Sequence, residues 1–384
     1  MRQTCIAGLG QVPVGEHWDR SLRDLAVDAV LAALTDAQVE RPQMLFVGNM
    51  LSGQLSSQEN LGALVADYAG LRGIEAFKVE AACASGAAAL RLAHLAVAGG
   101  LCDVAVACGV EKMTEGRSDR VTTALASAAD ATYEAEQGIS FVALNALLMQ
   151  RYMHVYGYRR EDFSFFAVNA HANAVHNPNA MYRRPISAEQ FAEARPIATP
   201  ISLLDSAGIG DGAAAVVVMP ADLAHAGERR PVYIRASASA TDAVALHDRR
   251  DPLVLEAAQL SAGRAYAEAS VAPRDIDLFE LHDAFTIMSA LSIEACGLAP
   301  RGHGVGLAKE EAIGLHGAHP MSTMGGLKAR GHPVGATGLY QVVEACLQLR
   351  GEAGANQIPG CRLALTQNIG GSGANVITHI LEAS

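Results

Sequence analysis

The chain has 384 residues, half of them hydrophobic and 18% charged, and carries a formal net charge of −11 at pH 7. This length exceeds one simple core and admits two domains or one large duplicated one, and the apolar content excludes a disordered chain. The acidic balance excludes general binding to nucleic acid or an anionic membrane, both of which need a basic surface, and no apolar run reaches the roughly 18 residues of a membrane span.

The first half reads as alternating strands and helices. Residues 2–9 form a strand-like segment, so no signal peptide is expected. A helix follows over 22–34, with Leu22, Leu25, Ala26, Ala29, Val30 and Ala33 on one face and Ser21 as its N-cap. A short buried strand (44–48) precedes a helix near 58–69. Residues 76–79 then lead into Cys83 and a helix of very small residues that ends at Gly99-Gly100. The apolar segment 103–109 is another strand. Elements apolar on both faces indicate a sheet covered on both sides. From about 113 to 200 aromatic and charged residues rise, and this part reads as an inserted helical region covering a site. The pattern returns with a strand at 213–219, and the polar stretch 221–231 reads as a linker.

Beyond the linker the pattern recurs, with a strand (232–236), a helix (253–269), a Pro-containing turn (273–277) and a strand (278–281). A helix opened by His332 then runs to 349, and a strand follows at 362–365. Cys83-x-x-Gly-Ala-Ala-Ala-Leu and His332-x-x-Gly-Ala-Thr-Gly-Leu share one format, each leading through a helix to an apolar strand. This predicts a tandem duplication with halves at 1–222 and 229–384. Pseudo-two-fold packing of the halves brings the two helix N-termini, and hence Cys83 and His332, together.

A thiol becomes a nucleophile once ionised, and a helix N-terminus or a histidine lowers its pKa of about 8.5. Cys83 has both in prospect. The other cysteines (5, 102, 108, 296, 346 and 361) fall on strand or helix patterns and read as core. With no C-x-x-C pair and no anchor signal at the C-terminal Leu-Glu-Ala-Ser, a reduced cytoplasmic protein is expected. Gly8-Leu-Gly10 meets Pro13 and reads as a turn. His316-x-x-His319 lacks companion ligands and reads as loop, so no metal site is expected.

These residues resemble the thiolases, within the larger thiolase and ketoacyl-synthase superfamily, over nearly the whole chain. The motifs are Ala-Ala-Cys83-Ala-Ser-Gly, Gly109-Val-Glu-Lys-Met, Asp211-Gly-Ala-Ala-Ala, His282-Asp-Ala-Phe, Gly331-His-Pro-Val-Gly-Ala-Thr-Gly and Asn368-Ile-Gly-Gly-Ser-Gly. The pattern looks most like archaeal-type and sterol-carrier-protein-type thiolases and related bacterial members. The resemblance implies an α/β fold, duplicated and five-layered (α/β/α/β/α), with an inserted loop domain at about 113–200. It also implies acyl-CoA and CoA as substrates with no permanently bound cofactor, a homodimer or homotetramer, and, in some relatives, a small OB-fold, zinc-ribbon protein partner.

By the same resemblance Cys83 carries the acyl group as a thioester and His332 activates it. His282 holds the thioester oxygen of the second substrate, and the backbone N–H groups of Cys83 and Gly370 form the oxyanion hole. Two positions depart from the family. Asn368 stands where many thiolases have a second, acid/base cysteine, and Ala284 stands where the sterol-type motif has it. Arg183 and Arg184 read either as contacts to CoA phosphates or as a solvated pair, and Ser237 and Ser239 lie near where thiolases contact pantetheine. The expected reaction is thiolytic cleavage of a 3-ketoacyl-CoA or the reverse Claisen condensation. A decarboxylating ketoacyl-synthase-like condensation, retro-aldol cleavage of an acyl-CoA, and a non-catalytic lipid-binding or scaffold role are the alternatives.

Overall fold

The computed structural model of the chain describes residues 2–224 and 230–384. Its strands are β1 (Thr4–Gln11), β2 (Met44–Gly48), β3 (Glu75–Val79), β4 (Ala105–Glu111), β5 (Pro196–Ala198), β6 (Ile201–Ser202), β7 (Gly212–Pro220), β8 (Val232–Thr241), β9 (Leu278–Glu280), β10 (Leu363–Gly370) and β11 (Asn375–Ala383). Nine of them form one sheet in the order β3-β2-β4-β7-β1-β8-β11-β10-β9, and β5 and β6 form a separate small hairpin. The centre of the expected linker, residues 225–229, lies outside the described residues.

The sheet repeats its own wiring. In the first part β2 runs parallel to β3 and β4, and β4–β7 and β7–β1 are antiparallel. In the second part β9 runs parallel to β10, and β10–β11 and β11–β8 are antiparallel. The parts meet at the pairs Cys5↔Tyr233 and Ile6↔Val232 of β1 and β8.

Side-chain alternation along each strand builds the layers. One face of the first part (Cys5, Leu45, Val47, Val106, Cys108, Val217) packs on the helices Leu22–Asp36 and Leu61–Tyr68. Its other face (Ile6, Phe46, Ala107, Val216) shares a core with Ile234, Leu278, Ala364 and Leu381 of the second part. The helices Ser85–Ala98 and Thr337–Arg350 lie in that shared core. The outward face of the second part (Ala238, Phe279, Leu365, Ile380) packs on the helices Glu256–Ala269 and Thr286–Ala295. The result is the five-layered α/β/α/β/α arrangement that the resemblance implies.

Local chemistry sets the element ends. The helix Leu22–Asp36 starts with a capping box: Ser21 N–H donates to Asp24 Oδ2 (2.9 Å) and Asp24 N–H to Ser21 Oγ (3.3 Å), bonds that satisfy otherwise orphaned donors. Its expected apolar face is buried in full. Residues between β4 and β7 fold as the helices Ser118–Ala126, Phe141–Tyr156, Ser164–Ala174 and Ala188–Ala192 plus the β5–β6 hairpin. Their Met149, Tyr152, Phe163 and Phe166 join the core around Ile287 and Leu291.

Three features differ from the expected elements. The final strand extends through Gly370, and a further strand, β11, lies between β8 and β10; its buried Thr378 and His379 interrupt the apolar pattern. The helix Thr286–Ala295 follows the His282 motif and is buried along most of its length, so it shows no amphipathic period. His332 does not open its helix. Pro333 is extended and a 3-10 turn over Val334–Ala336 intervenes, so the helix begins at Thr337.

The two central helices approach each other closely at two glycines. A Cβ on Gly86 would lie 2.9 Å from Gly335 O, and one on Gly338 would lie 2.5 Å from Ala87 N and against Asn368 Oδ1. Gly338→Ala is therefore expected to destabilise the fold by about 1–3 kcal/mol, as overpacking of a filled core does. Gly263, inside Glu256–Ala269 with open space around its Cα, is the counterpart, where alanine is expected to stabilise by about 0.5–1 kcal/mol. Urea denaturation of both variants checks the signs.

Candidate active site

Cys83 stands on a tight turn between β3 and the helix Ser85–Ala98. Ala82, just before it, has φ +51°, a left-handed conformation that costs an L-residue about 1–2 kcal/mol. Local bonds hold the turn. Ala82 N–H donates to Glu80 Oε1 (2.6 Å), Ala81 N–H donates to Ser85 Oγ (2.9 Å), and the Ser85 hydroxyl donates to Ala82 O (2.6 Å). Cys83 is left half-buried at the helix N-terminus, while the other six cysteines are buried.

The histidine loop is tied down from several sides. His332 N–H donates to Gly208 O (2.9 Å). Its Nδ1 lies 2.7 Å from Thr337 Oγ1, and the Thr337 hydroxyl donates to Pro333 O (3.1 Å). With its own hydrogen committed, Thr337 Oγ1 accepts from Nδ1–H, which leaves the lone pair of the neutral ring on Nε2.

Glu111, at the end of β4, joins this loop to the residues after β2. It accepts from Asn49 Nδ2 (2.8 Å), Met50 N–H (3.0 Å), Leu51 N–H (3.1 Å) and Gly335 N–H (3.1 Å). Glu111 lies within the Gly109-Val-Glu-Lys-Met motif, which by itself assigns it no role. Its signal is one carboxylate ending an otherwise apolar strand, since a buried carboxylate needs donors around it.

His282 follows β9. Its ring meets that of His332 edge-on, with centroids 5.2 Å apart at 83°, and its Nδ1 is 3.0 Å from Asn368 Nδ2. Behind the pair lies a fully buried charge cluster, unforeseen, in which Arg330 is 3.3 Å from Glu344 and Lys328 donates to Asp283 O.

Cys83, His282 and His332 line one cavity of about 390 Å³, together with Ala284 and Gly371. The residues between β4 and β7 add Leu125, Phe141 and Ile197. Gly370 sits at the end of β10, paired with Asn375, and Gly371 after it lines the cavity with Cys83. Asn368 lies behind His282, fully buried. Ser237 and Ser239 sit within β8, their carbonyls accepting from Arg91 and Arg264. Arg183 and Arg184 are exposed. His319 packs edge-on against Phe279, and among the described residues no group of three or more metal-ligating side chains assembles.

Burial decides the charge states. It pushes the Cys83 thiol up to about 12, with the nearby Glu111 charge adding to it and backbone N–H groups of Gly371 and Cys83 opposing. Burial, helped by Lys328 and Arg330, lowers His282 to about 3. Burial, His282 and Arg330 hold His332 well below the usual histidine range. Near neutral pH the site thus holds a thiol and two neutral imidazoles. A neutral imidazole can take a thiol proton as a bond forms, without a resting thiolate.

Family models match both parts of the chain: the thiolase N-terminal domain over residues 5–222, and the thiolase C-terminal domain-like model over 238–383. The chain is 43% identical to an acetyl-CoA acetyltransferase of Methanothermobacter thermautotrophicus, covering 99% of each. It is 33% identical to the benzoylsuccinyl-CoA thiolase subunit BbsB of Thauera aromatica, covering 96% of this chain and 95% of that one. Among solved structures, that titled Ltp2-ChsH2(DUF35) aldolase superposes with a TM-score of 0.87 at 26% identity, covering 99% of this chain and 98% of the other.

The charge states carry a pH signature. Below its pKa a thiol gains tenfold in thiolate per pH unit, so alkylation of Cys83 by iodoacetamide is expected to keep rising beyond pH 9, where an ordinary thiol of about 8.5 levels off. Mass spectrometry of the Cys83 peptide gives the profile. A plateau below pH 7 would mean a resting thiolate–imidazolium pair instead.

Proposed function

The chain belongs to the thiolase family and is an enzyme of thiolase-type, CoA-dependent acyl transfer, and within that activity we propose that Cys83 carries the acyl group as a thioester. The observation that carries this reading is the convergence of Cys83, His282 and His332 on one cavity. His332 Nε2 takes the thiol proton as Cys83 attacks the 3-keto carbonyl of a 3-ketoacyl-CoA, and coenzyme A, a substrate, then removes the acyl group. The backbone N–H groups of Cys83 and of the Gly370–Gly371 turn hold the oxyanion on the acyl-enzyme, and His282 holds the thioester oxygen of the second substrate. Covalent catalysis of this kind divides one acyl transfer into two easier steps.

The cavity wall supports an uncharged, apolar acyl group, since Leu125, Phe141, Ile197, Phe285 and Met288 line it. The reading divides the chain into halves at 1–222 and 229–384, with the region of about 113–200 covering the site. The repeated strand order supports that division. Seven unpaired cysteines fit the reducing cytoplasm, and no described helix is long and apolar enough to cross a membrane.

Two kinds of partner belong to the proposal. A homodimer or homotetramer is supported by β3 at the edge of the sheet, whose Phe77 is 51% exposed, because open edges invite pairing. A small OB-fold, zinc-ribbon protein is supported by the DUF35 component named with the similar aldolase structure. The native mass of the complex from its host is expected to exceed two chains and include such a protein. A lone 40.0 kDa species would remove both.

That aldolase also favours a test of retro-aldol cleavage as a second reading. Acyl-CoA incubation is expected to add one acyl mass to the Cys83 peptide, and Cys83→Ala to lower CoA-dependent cleavage of 3-ketoacyl-CoA by about 10⁴-fold or more, as loss of a nucleophile does. Cleavage of a 3-hydroxyacyl-CoA without CoA, surviving in Cys83→Ala, would establish the aldolase reading.

A further inference from the structure

Asn368 occupies the place where many relatives carry an acid/base cysteine, and its geometry points to a different task. Its side chain is buried, with Nδ2 3.0 Å from His282 Nδ1. Its Oδ1 has no hydrogen-bond partner and faces the Gly338 backbone, where a Cβ would strike it. This orientation of the amide is the favourable one. An oxygen beside Gly338 accepts a weak Cα–H contact, whereas an NH₂ group there would be an orphaned buried donor, the costlier defect.

The Asn368 NH₂ group can only donate, so His282 Nδ1 must accept, and the ring proton of the neutral imidazole lies on Nε2. His332 has the opposite arrangement, because Thr337 accepts from its Nδ1–H and leaves a lone pair on Nε2. We propose that Asn368 is a positioning residue that locks His282 as an N–H donor, so that His282 stabilises the enolate oxygen and all proton transfer passes through His332. This inference rests on the acyl-enzyme reading given above.

The bookkeeping of protons closes with one base. In cleavage, His332 Nε2 takes the Cys83 proton as sulfur attacks the 3-keto carbon. The Cα–Cβ bond breaks, its electron pair forms the enolate held by His282 Nε2–H, and His332 returns the proton to the enolate carbon. The neutral imidazole then takes the proton of the CoA thiol as that sulfur attacks the thioester, and passes it to the departing Cys83 thiolate. No second thiol is needed.

The two candidate roles of His282 predict opposite signs for Asn368→Asp. A carboxylate accepts from Nδ1–H and moves the lone pair to Nε2, destroying the donor while making a better base. If His282 is the donor, deuterium exchange into the methyl group of acetyl-CoA falls by about 10²–10³-fold, as for loss of an oxyanion donor, while exchange of labelled CoA into acyl-CoA stays within about tenfold. If His282 is the base, methyl exchange holds or rises, and the proposal fails. Nitrogen-15 NMR of wild-type imidazoles tests the lock without any variant: His282 is expected to carry its proton on Nε2, and a proton on Nδ1 overturns the assignment. Failure of the acyl-enzyme reading shows separately, as absence of the Cys83 adduct in the wild type.

Discussion

Two helices brought close together by glycines are the constraint on which the site depends. Gly86 and Gly338 let Ser85–Ala98 and Thr337–Arg350 approach until backbone meets backbone, and the two parts of the sheet close over them from either side. The elements leading into both helices must therefore arrive at one place. One delivers Cys83 on a strained turn and the other delivers His332 on a loop. Neither residue selects the other. The helix crossing does, because small residues at the contact allow only a close approach.

Around this crossing the protein uses buried polar groups as ties. Glu111 gathers four N–H donors and so fixes the loop after β2 to the loop that carries His332. Burial pushes its carboxyl up to about 7, against the pull of those donors. Thr337 and Asn368 lie at shorter range, each within hydrogen-bond distance of one imidazole nitrogen. The same burial that keeps both rings and the thiol uncharged makes each tie strong, since a hydrogen bond in a dry site is not exchanged for one to water. Under the proposed mechanism two chemically identical side chains thereby acquire different jobs.

Much of this was legible in residue order. The capped helix at Ser21, the five-residue strand at 44–48 and the small-residue helix behind Cys83 follow from period, capping and composition, and the structure has each of them. Elements with no exposed face left no such signal. The helix Thr286–Ala295 is buried nearly throughout, and β11 hides Thr378 and His379 among apolar neighbours. Periodicity reports a contrast between two environments, and a segment that sees only one environment has no period to read.

The sequence by itself determined the doubled strand–helix format, the family, and the identities of Cys83, His282 and His332 as the residues to watch, because motifs and composition are local. Tertiary structure alone decided that Glu111 braces the histidine loop, that Gly371 lines one cavity with Cys83, and that Asn368 faces His282. Those relations join residues from 86 to 288 positions apart, and no local rule of spacing specifies them. A hydrogen bond has a direction and a length of about 3 Å, and only the packed chain sets both.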